Sequence, residues 1–167
     1  MLKVLVRRAQ RGSADSFIRL IEKNKQTLMR VAYGFFQNEE DVADAVAETV
    51  ADAYEHIREL KNPEYFKTWL VRILINNCNR MYNENRNRTG LDSIPEIAQE
   101  SYEMAGVEFA DMISSLSEED RVIFQLFYGE NFTTKEISEL LYKKESTVKS
   151  RLHRGKEKLR TQMKLIC

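Results

Sequence analysis

The last quarter of the chain limits its fold most strongly, because the spacing of its apolar side chains defines two helices that can pack together. These side chains are Ile137, Leu140, Leu141, Val148, Leu152 and Leu159. The last three recur at steps of four and seven, which places them on one side of a helix. Thr133 and Glu136 form the capping-box pattern that starts the first helix. The segment therefore predicts a helix-turn-helix.

The second of these helices is strongly basic. From Lys143 to Cys167 there are nine Lys or Arg and two acidic residues, although the formal net charge of the whole chain is zero. A surface helix with a solvated basic side is the plain interpretation. The preceding helix, at the offset of a helix-turn-helix, favours binding to the phosphate backbone of DNA. The outer side of the second helix carries Lys149, Ser150, His153, Arg154, Lys156 and Arg160.

The composition indicates a helical protein of one domain or two small ones. Of the 167 residues, 43% are apolar and 31% are charged, with only two Pro and six Gly. No apolar stretch approaches the roughly 18–20 residues of a membrane span, and the N-terminal residues do not resemble a secretory signal. Cys78 and Cys167 lie far apart, without the spacing of a disulfide framework or a zinc site. We expect a cytoplasmic protein that binds no metal.

The first half of the chain predicts three helices, so the expected fold class is all-α. Apolar residues recur with helical periodicity over residues 15–36, over 41–60 and from 64 to about 83. Ser13 or Asp15 can cap the first of these helices.

The second predicted helix has acidic residues along one side, at steps of three and four. This acidic stripe consists of Asp41, Asp44, Glu48, Asp52, Glu55 and Glu59. Carboxylates at this spacing repel one another, and an ordinary solvated face usually mixes both signs. The stripe is either a bare solvated face or a docking surface for a basic partner. A metal site is disfavoured, because carboxylate sites in bundles add His at i+3 and only His56 is near.

Aromatic, basic and amide side chains occur together on the third predicted helix. Tyr65, Phe66 and Trp69 precede Arg72 and Asn76, which are expected on the exposed side. Aromatic rings beside cations can stack on unpaired bases. Phe66 and Trp69 would also suit an apolar core, and the sequence leaves both interpretations open.

Residues 89–109 separate two regions of different character. They contain Gly90, Pro95, Gly106 and five acidic residues, without a basic one. Turn residues and charge of one sign are typical of a flexible linker, although a short helix around residues 95–104 is an alternative. The predicted organisation is a small helical domain over 1–88, an acidic linker over 89–109 and a second small helical domain over 110–167.

The two halves together resemble the sigma factors of bacterial RNA polymerase, in the compact extracytoplasmic-function (ECF) group of the sigma-70 family. Residues 9–57 resemble the start of the sigma-2 domain, and YFKTWLVRILINNC at 65–78 resembles its promoter-melting segment. Residues 116–160 resemble sigma-4, and TVKSRLHRGKEKL at 147–159 is their most specific part. A linker without a sigma-3 domain is also similar to this group.

The resemblance implies a sigma factor that binds core RNA polymerase and promoter DNA, uses no cofactor and is controlled by an anti-sigma factor. It assigns polymerase binding to Asp41, Asp44, Glu48 and Asp52. It assigns promoter melting and capture of a flipped base of the −10 element to residues 58–66, with Tyr65, then Arg72 and Asn76. It assigns recognition of the −35 element to Lys149, Ser150, His153 and Arg154, with Arg151 as a phosphate contact.

The chain departs from the family pattern at individual positions. Arg80 stands where Asp is common, and Tyr142 stands where Gly is common, at the turn between the two C-terminal helices. A positive φ would be costly for Tyr142. Glu145 or Ser146 would then cap the second helix.

Two other classes of function compete with this interpretation. A stand-alone transcriptional regulator would have the same C-terminal helices, but its first half should form a ligand pocket or place a phosphorylatable Asp at a strand end. No strand is indicated. An enzyme is disfavoured, because His56 and His153 are the only histidines and neither a nucleophile–base pair nor a phosphate-binding Gly loop is evident. No catalytic residue is predicted.

Overall fold

The computed structural model describes residues 1–89 and 104–166, with the side chains of residues 1–85 and 109–164. Within these ranges all regular structure is helical, which confirms the expected all-α class. The helices are α1 (Leu2–Gln10), α2 (Ala14–Phe35), α3 (Glu39–His56), α4 (Phe66–Thr89), α5 (Met104–Ile113), α6 (Glu118–Phe124), α7 (Thr134–Leu141) and α8 (Glu145–Ile166). Short 3-10 turns at Ile57–Glu59 and Pro63–Tyr65 separate α3 from α4, and a π-helical turn at Gln125–Gly129 follows α6.

Side-chain caps determine where several helices begin. Ser13 Oγ accepts a hydrogen bond from the backbone N–H of Ser16 at 3.2 Å, so Ser13 rather than Asp15 caps α2. Thr133 Oγ1 accepts from the N–H of Glu136, while Glu136 Oε1 accepts from the N–H of Thr133, both at 3.1 Å. The predicted capping box is therefore confirmed.

Helices α1 to α4 form a bundle in which α2 is central. It packs against α1, α3 and α4. Removal of the apolar side chains between these helices from water provides the main stabilisation, at about 25 cal/mol per Å² of buried apolar surface. The fully buried leucines of the bundle are Leu20, Leu28, Leu70 and Leu74.

The structure differs from the sequence-based expectation at two elements of this bundle. Helix α1 was not predicted, although one side of it is buried through Leu5, Val6 and Ala9. Helix α4 buries a wider side than expected, because it contacts α2, α3 and α7 at once. Side chains on α4 that were not assigned to the core but are buried there include Val71, Ile75 and Cys78. Trp69, for which the sequence left a core position open, is only partly buried.

The C-terminal half encloses a second group of apolar side chains between α6, α7 and α8. The predicted positions Ile137, Leu140, Val148, Leu152 and Leu159 are all buried. Gly155 lets α8 approach α6 closely, since a Cβ at this position would lie 2.5 Å from a ring carbon of Phe124. The helix-turn-helix pairing inferred from the apolar spacing is thus confirmed.

The two halves contact each other through α2 and α4. Helix α6 packs on α2, and α7 contacts α4. The backbones come close at Gly34, where a Cβ would lie 3.1 Å from Val122 Cγ2, and Arg121 Nε donates a 3.2 Å hydrogen bond to Gly34 O. Of the predicted linker 89–109, residues 90–103 lie outside the described residues, together with nearly all of the alternative short helix. Residues 104–109 belong to α5.

A buried carboxylate joins three parts of the fold across this contact. The side chain of Glu130, directly after the π-helical turn, is 4% exposed. Its Oε2 accepts a hydrogen bond from Thr27 Oγ1 at 2.8 Å, its Oε1 lies 3.4 Å from Arg30 Nη1, and Lys67 Nζ lies 3.5 Å from Oε2. A buried carboxylate is costly unless it is paired. Its partners on α2 and α4 compensate that cost only while the two halves are packed together, so Glu130 couples the positions of the halves, a role that nothing in its local sequence indicated.

The turn between α7 and α8 adopts the conformation that was expected to be costly. Tyr142 ends α7 with φ 55° and ψ 42°, which is the left-handed region. The backbone N–H of Lys143 donates to Ser138 O at 3.0 Å and closes the helix end. Helix α8 then starts at Glu145, whose Oε1 accepts a hydrogen bond from Thr134 Oγ1 at 2.8 Å.

Replacing Tyr142 by Gly should stabilise the protein by about 0.5–1 kcal/mol, because relief of the left-handed strain exceeds the extra entropy of an unfolded Gly. Little packing is lost, since the Tyr142 side chain is 73% exposed. Thermal unfolding followed by circular dichroism measures the effect as a rise in Tm. Asn131→Gly is the matched control, at φ 61°, and should change Tm less because Asn tolerates this region. A lower Tm for Tyr142→Gly would contradict the expectation.

Replacing Glu130 by Ala should loosen the two halves, because Arg30 and Lys67 lose their carboxylate partner and Thr27 loses an acceptor. The expected cost is about 2 kcal/mol. Small-angle scattering should show a larger radius of gyration for the free chain, with a lower Tm. Glu139→Ala removes an exposed carboxylate from α7 and should change neither. An unchanged radius and Tm for Glu130→Ala would show that apolar packing alone holds the halves together.

Candidate nucleic-acid and protein interfaces

Two carboxylates of the acidic stripe are held by amides of α4. Asp52 Oδ2 accepts a hydrogen bond from Asn77 Nδ2 at 3.0 Å, and Asp41 Oδ2 accepts one from Asn85 Nδ2 at 3.4 Å. Asn77 is buried and also lies 3.2 Å from Thr49 Oγ1. No role was predicted for Asn77, although an amide within an apolar stretch was the available signal. Asp41 and Asp52 are both only partly exposed, so they help to hold α3 against α4.

The exposed part of the stripe begins at Asp44 and Glu48. Both side chains are solvent-exposed, and Glu48 Oε2 lies 2.7 Å from Arg80 Nη2. Arg80 also lies 3.3 Å from Glu84 Oε1, one turn further along α4. The departure from the family pattern at Arg80 thus has a structural consequence. It adds a cation beside the stripe, which offsets part of the charge of Glu48.

The segment between α3 and α4 is a short loop between two 3-10 turns. Asn62 Oδ1 accepts a hydrogen bond from the backbone N–H of Glu64 at 3.1 Å and thereby caps the second turn. Pro63 occupies the first position of that turn, where its missing N–H is not needed. The loop therefore delivers Tyr65 to the surface, where its side chain is 61% exposed.

Tyr65, Arg72 and Asn76 lie on one side of α4 and of the turn before it. Their steps of seven and four correspond to whole helical turns, and all three side chains are exposed. Phe66 is fully buried and its ring centroid lies 5.9 Å from that of Trp69. The interpretation of Phe66 as a core residue is confirmed. The three residues of the predicted −10 site thus share one exposed side, and their role in DNA binding stays a prediction.

Helix α8 presents four of its five predicted DNA-binding residues to solvent. Lys149, Ser150, His153 and Arg154 are exposed, and their spacing places them on neighbouring rows of the same helical side. Glu145 Oε1 lies 3.6 Å from Lys149 Nζ, and a hydrogen bond from Thr134 lowers the pKa of Glu145.

The side chain of Arg151, the fifth predicted residue, points toward α6 and not toward solvent. Its Nη2 lies 2.7 Å from Glu119 Oε2 and its Nη1 lies 3.0 Å from Asp120 Oδ1. Lys143 pairs with the same carboxylate of Glu119. The Arg151 side chain is 27% exposed, so in this structure it ties α8 to the first turn of α6. The sequence feature that could have indicated this pairing is the acidic first turn at residues 118–120, after the cap Ser117.

An apolar cavity of about 650 Å³ lies between α5, α8 and the end of the π-helical turn. Its walls include the partly exposed side chains Met112, Tyr128 and Met163. Lys156, Arg160 and Lys164 of α8 also line it. Lys156 and Arg160 were predicted on the outer side of the helix, and the cavity they line was not predicted. An apolar surface with a basic rim suits an amphipathic acidic protein segment.

The described residues show one strongly shifted thiol and no arrangement that would hold a metal ion. Burial raises the pKa of the Cys78 thiol to about 12, so the thiol stays protonated and unreactive. No group of three or more His, Cys, Asp or Glu in residues 1–89 and 104–166 is arranged to hold a metal ion. Over the same ranges, none of the helices combines the length and the hydropathy that crossing a membrane requires.

Comparison with known families matches both halves of the chain to one family. Residues 20–88 match sigma-70 region 2, and residues 106–159 match sigma-70 region 4. The first match covers most of α2, all of α3 and nearly all of α4, with the loop before α4. The second covers most of α5, all of α6 and α7, and most of α8. The proposed polymerase and −10 residues thus fall in one matched region, and the proposed −35 residues fall in the other.

Full-length relatives and solved structures agree with these matches. The ECF RNA polymerase sigma factor SigW of Bacillus subtilis is 26% identical, over 98% of this chain and 97% of the relative. SigV of the same organism is 25% identical, over 86% and 88%. The fold is similar to that of RpoE bound to the anti-sigma factor NepR from Bartonella quintana, with a TM-score of 0.78 at 18% identity over 90% of this chain and 98% of RpoE. CnrH in complex with the cytosolic domain of CnrY gives a TM-score of 0.71 at 21% identity over 98% and 97%. This chain belongs to the sigma-70 family of RNA polymerase sigma factors, in the ECF group.

Proposed function

We propose that this sigma factor binds core RNA polymerase and directs transcription initiation at promoters that carry −10 and −35 elements, and that it helps to melt the DNA at the −10 element. The observation that carries the proposal is the exposed polar and basic side of α8, with Lys149, Ser150, His153 and Arg154 on the second helix of a helix-turn-helix. We assign the predicted linker, residues 89–109, to the connection between the two DNA-binding halves, although its last six residues begin α5.

Recognition of the −35 element is assigned to α8. A helix of this kind enters the major groove, where base edges present a distinct pattern of donors and acceptors. Arg154 is exposed and can pair bidentately with guanine, while Lys149 can contact phosphate. Arg151 would first have to leave Glu119 and Asp120. We therefore assign it to the packing of α8 on α6 and not to the phosphate backbone.

Recognition and melting of the −10 element are assigned to residues 58–66 with Arg72 and Asn76. Tyr65 offers an exposed ring on which an unpaired base can stack. Arg72 can hold the phosphates of a single strand, and Asn76 can hydrogen-bond a base edge. The chain has no phosphate-binding loop, so the free energy for melting comes from the binding of flipped bases.

Binding to core polymerase is assigned to α3, through Asp44 and Glu48. These carboxylates are exposed, whereas Asp41 and Asp52 orient the helix by their hydrogen bonds to α4. Complementary charge at such a surface guides docking and selects the partner. The alternative is that the acidic stripe is only a solvated face, and the pull-down with core polymerase distinguishes the two.

Simultaneous contact with both promoter elements requires the two halves to separate. Elements centred about 25 base pairs apart are about 85 Å apart along B-form DNA. A chain of 167 residues packed as one body has a radius of gyration of about 15 Å, hence a diameter of about 40 Å. The contact of α2 with α6, including Glu130, must therefore open when polymerase holds both halves on a promoter.

Control by an anti-sigma factor is proposed from RpoE, which was solved with the anti-sigma factor NepR. The apolar cavity with its basic rim offers a protein-binding surface on the C-terminal half. Co-expression with the products of neighbouring genes tests this control. A product that binds the chain and suppresses its transcript supports it, and a transcript that none of them suppresses contradicts it.

The proposed function is tested by adding the purified chain to bacterial core polymerase and measuring run-off transcription from promoters near its own gene. A specific transcript that depends on the chain supports a sigma factor. The competing function is a stand-alone regulator, which would bind promoter DNA without polymerase and leave core polymerase unable to initiate. That pattern would overturn the proposal.

Reversing the charge of the exposed stripe should weaken binding to core polymerase. Asp44→Lys with Glu48→Lys should reduce recovery of polymerase in a pull-down, with an unchanged circular dichroism spectrum, because exposed charges contribute little to stability. Glu22→Lys with Glu139→Lys is the matched control, since it makes the same change of charge at exposed positions elsewhere. Wild-type recovery with the stripe variant would identify the stripe as a solvated face.

Arg154→Ala should change the preference among −35 sequences, because a bidentate pair with guanine contributes roughly 1–3 kcal/mol of discrimination. Lys158→Ala is the control. Its exposed ammonium donates to Ser115 O at 3.2 Å, and any DNA contact it makes is with phosphate. Binding titrations at several salt concentrations should show that Lys158→Ala weakens all sequences equally and lowers the salt slope by about one. Equal weakening of all sequences by Arg154→Ala would make that residue a backbone contact.

Asn76→Ala should leave polymerase binding and the closed complex near normal and reduce the open complex on duplex promoters. If Arg72 mainly helps opening, a template with a pre-melted bubble should restore much of the activity that Arg72→Ala loses. If Asn76 binds a flipped base, Asn76→Ala should stay impaired even on that template. Permanganate footprinting and run-off transcription on both templates measure this. Asn79→Ala, also exposed on α4, is the control. Normal promoter opening by both Arg72→Ala and Asn76→Ala would show that melting is carried out by other residues.

A further inference from the structure

Helix α1 packs against the loop that precedes α4. It contacts both 3-10 turns, at Ile57–Glu59 and at Pro63–Tyr65, as well as α2. The match to sigma-70 region 2 begins only at residue 20, so α1 lies before the matched region. Its buried side is formed by Leu5, Val6 and Ala9. The helix is therefore a fixed support on which the loop can rest.

Gln10, the last residue of α1, holds the loop by two hydrogen bonds. Its Nε2 donates to Ile57 O at 2.9 Å and to Leu60 O at 2.8 Å. Leu60 has left the helical conformation, with φ −68° and ψ 113°. Its carbonyl is one of the groups that a helix end leaves without an intrahelical partner. The single amide of Gln10 thus spans the point at which the chain turns from α3 into the loop.

A second contact of α1 is an ion pair with the second 3-10 turn, Pro63–Tyr65. Lys3 Nζ is 2.8 Å from Glu64 Oε1, but both side chains are more than half exposed. Lys3 and Gln10 are seven residues apart, so they lie on the same side of α1 and about 10 Å apart along it. That is about the reach of the chain from Leu60 to Glu64. Helix α1 therefore contacts both ends of the segment that leads to Tyr65.

The two contacts differ in how strongly they position the loop. An exposed ion pair contributes little, and its geometry is loose. The hydrogen bonds of Gln10 are partly buried and directional, and their loss would leave two carbonyls without their donor. Gln10 is the residue of α1 whose replacement should displace the loop.

We infer that Gln10 is a positioning residue for base recognition at the −10 element, acting through Ile57 and Leu60 on the loop that carries Tyr65. The inference rests on the proposed function of residues 58–66. The loop must hold its shape while it receives a flipped base, because stacking and edge contacts depend on geometry within less than an ångström. The amide of Gln10 supplies both donors from one nitrogen, which a carboxylate or a thioether cannot do.

Gln10→Met is the informative variant, because Met has a similar length and helix propensity but no donor. Gln10→Glu is the second variant, which keeps the shape and loses the donors. Ser13→Ala is the matched control. It removes the cap of α2, at a stability cost of about 1 kcal/mol, without touching the loop.

The measurement is open-complex formation on promoters with the preferred −10 element and with single-base substitutions in it. Both Gln10 variants should bind core polymerase and the −35 duplex like the wild type, while their discrimination among −10 sequences falls about fivefold. The loss should persist on a pre-melted bubble, since recognition follows opening. Ser13→Ala should keep the wild-type discrimination among −10 sequences, although its Tm should fall about as far as the Tm of the Gln10 variants.

The outcomes separate this inference from the proposed function. Wild-type discrimination by both Gln10 variants would overturn the positioning role, as would an equal loss in Ser13→Ala. A wild-type chain that shows no −10 preference would instead overturn the proposed function, whatever the variants do.

Discussion

The packing of α2 against α6 is the contact on which the arrangement of the molecule depends. Helix α2 is the central helix of the N-terminal bundle, and it also carries the C-terminal half. Gly34 permits the close approach, and Glu130 adds a buried carboxylate whose partners, Thr27, Arg30 and Lys67, all belong to the N-terminal half. Since each half carries one proposed DNA surface, this one contact decides whether both surfaces can reach a promoter.

The polar side chains between α3 and α4 reconcile packing with a charged surface. Asn77 and Asn85 hold Asp52 and Asp41 by hydrogen bonds. Because these donors are neutral amides, they orient the carboxylates without cancelling their charge. Arg80 does cancel charge, at Glu48. The negative potential at the surface of α3 is therefore set by residues of α4 as much as by its own.

Much of the fold and part of the candidate site could be predicted from the sequence. The capping box at Thr133 and the buried positions of α7 and α8 followed from residues within a few positions of one another, and the structure has them as expected. The exposed sides of α4 and α8 followed from the same periodicity. Arg151 differed because its direction depends on the acidic first turn of α6, which packs beside it only in the folded protein.

The sequence by itself determined the helices α2, α3, α4, α7 and α8, the capping box of α7, the charge of each surface and the family, because helical periodicity and capping act between residues within about one turn. It also indicated the strain at Tyr142, since the turn position and the side chain were both known. The tertiary structure alone decided the support of the loop by Gln10 and the burial of Glu130. Those contacts join residues 47 to 103 positions apart. Pairing at such separations depends on how the helices pack, and no local pattern records it.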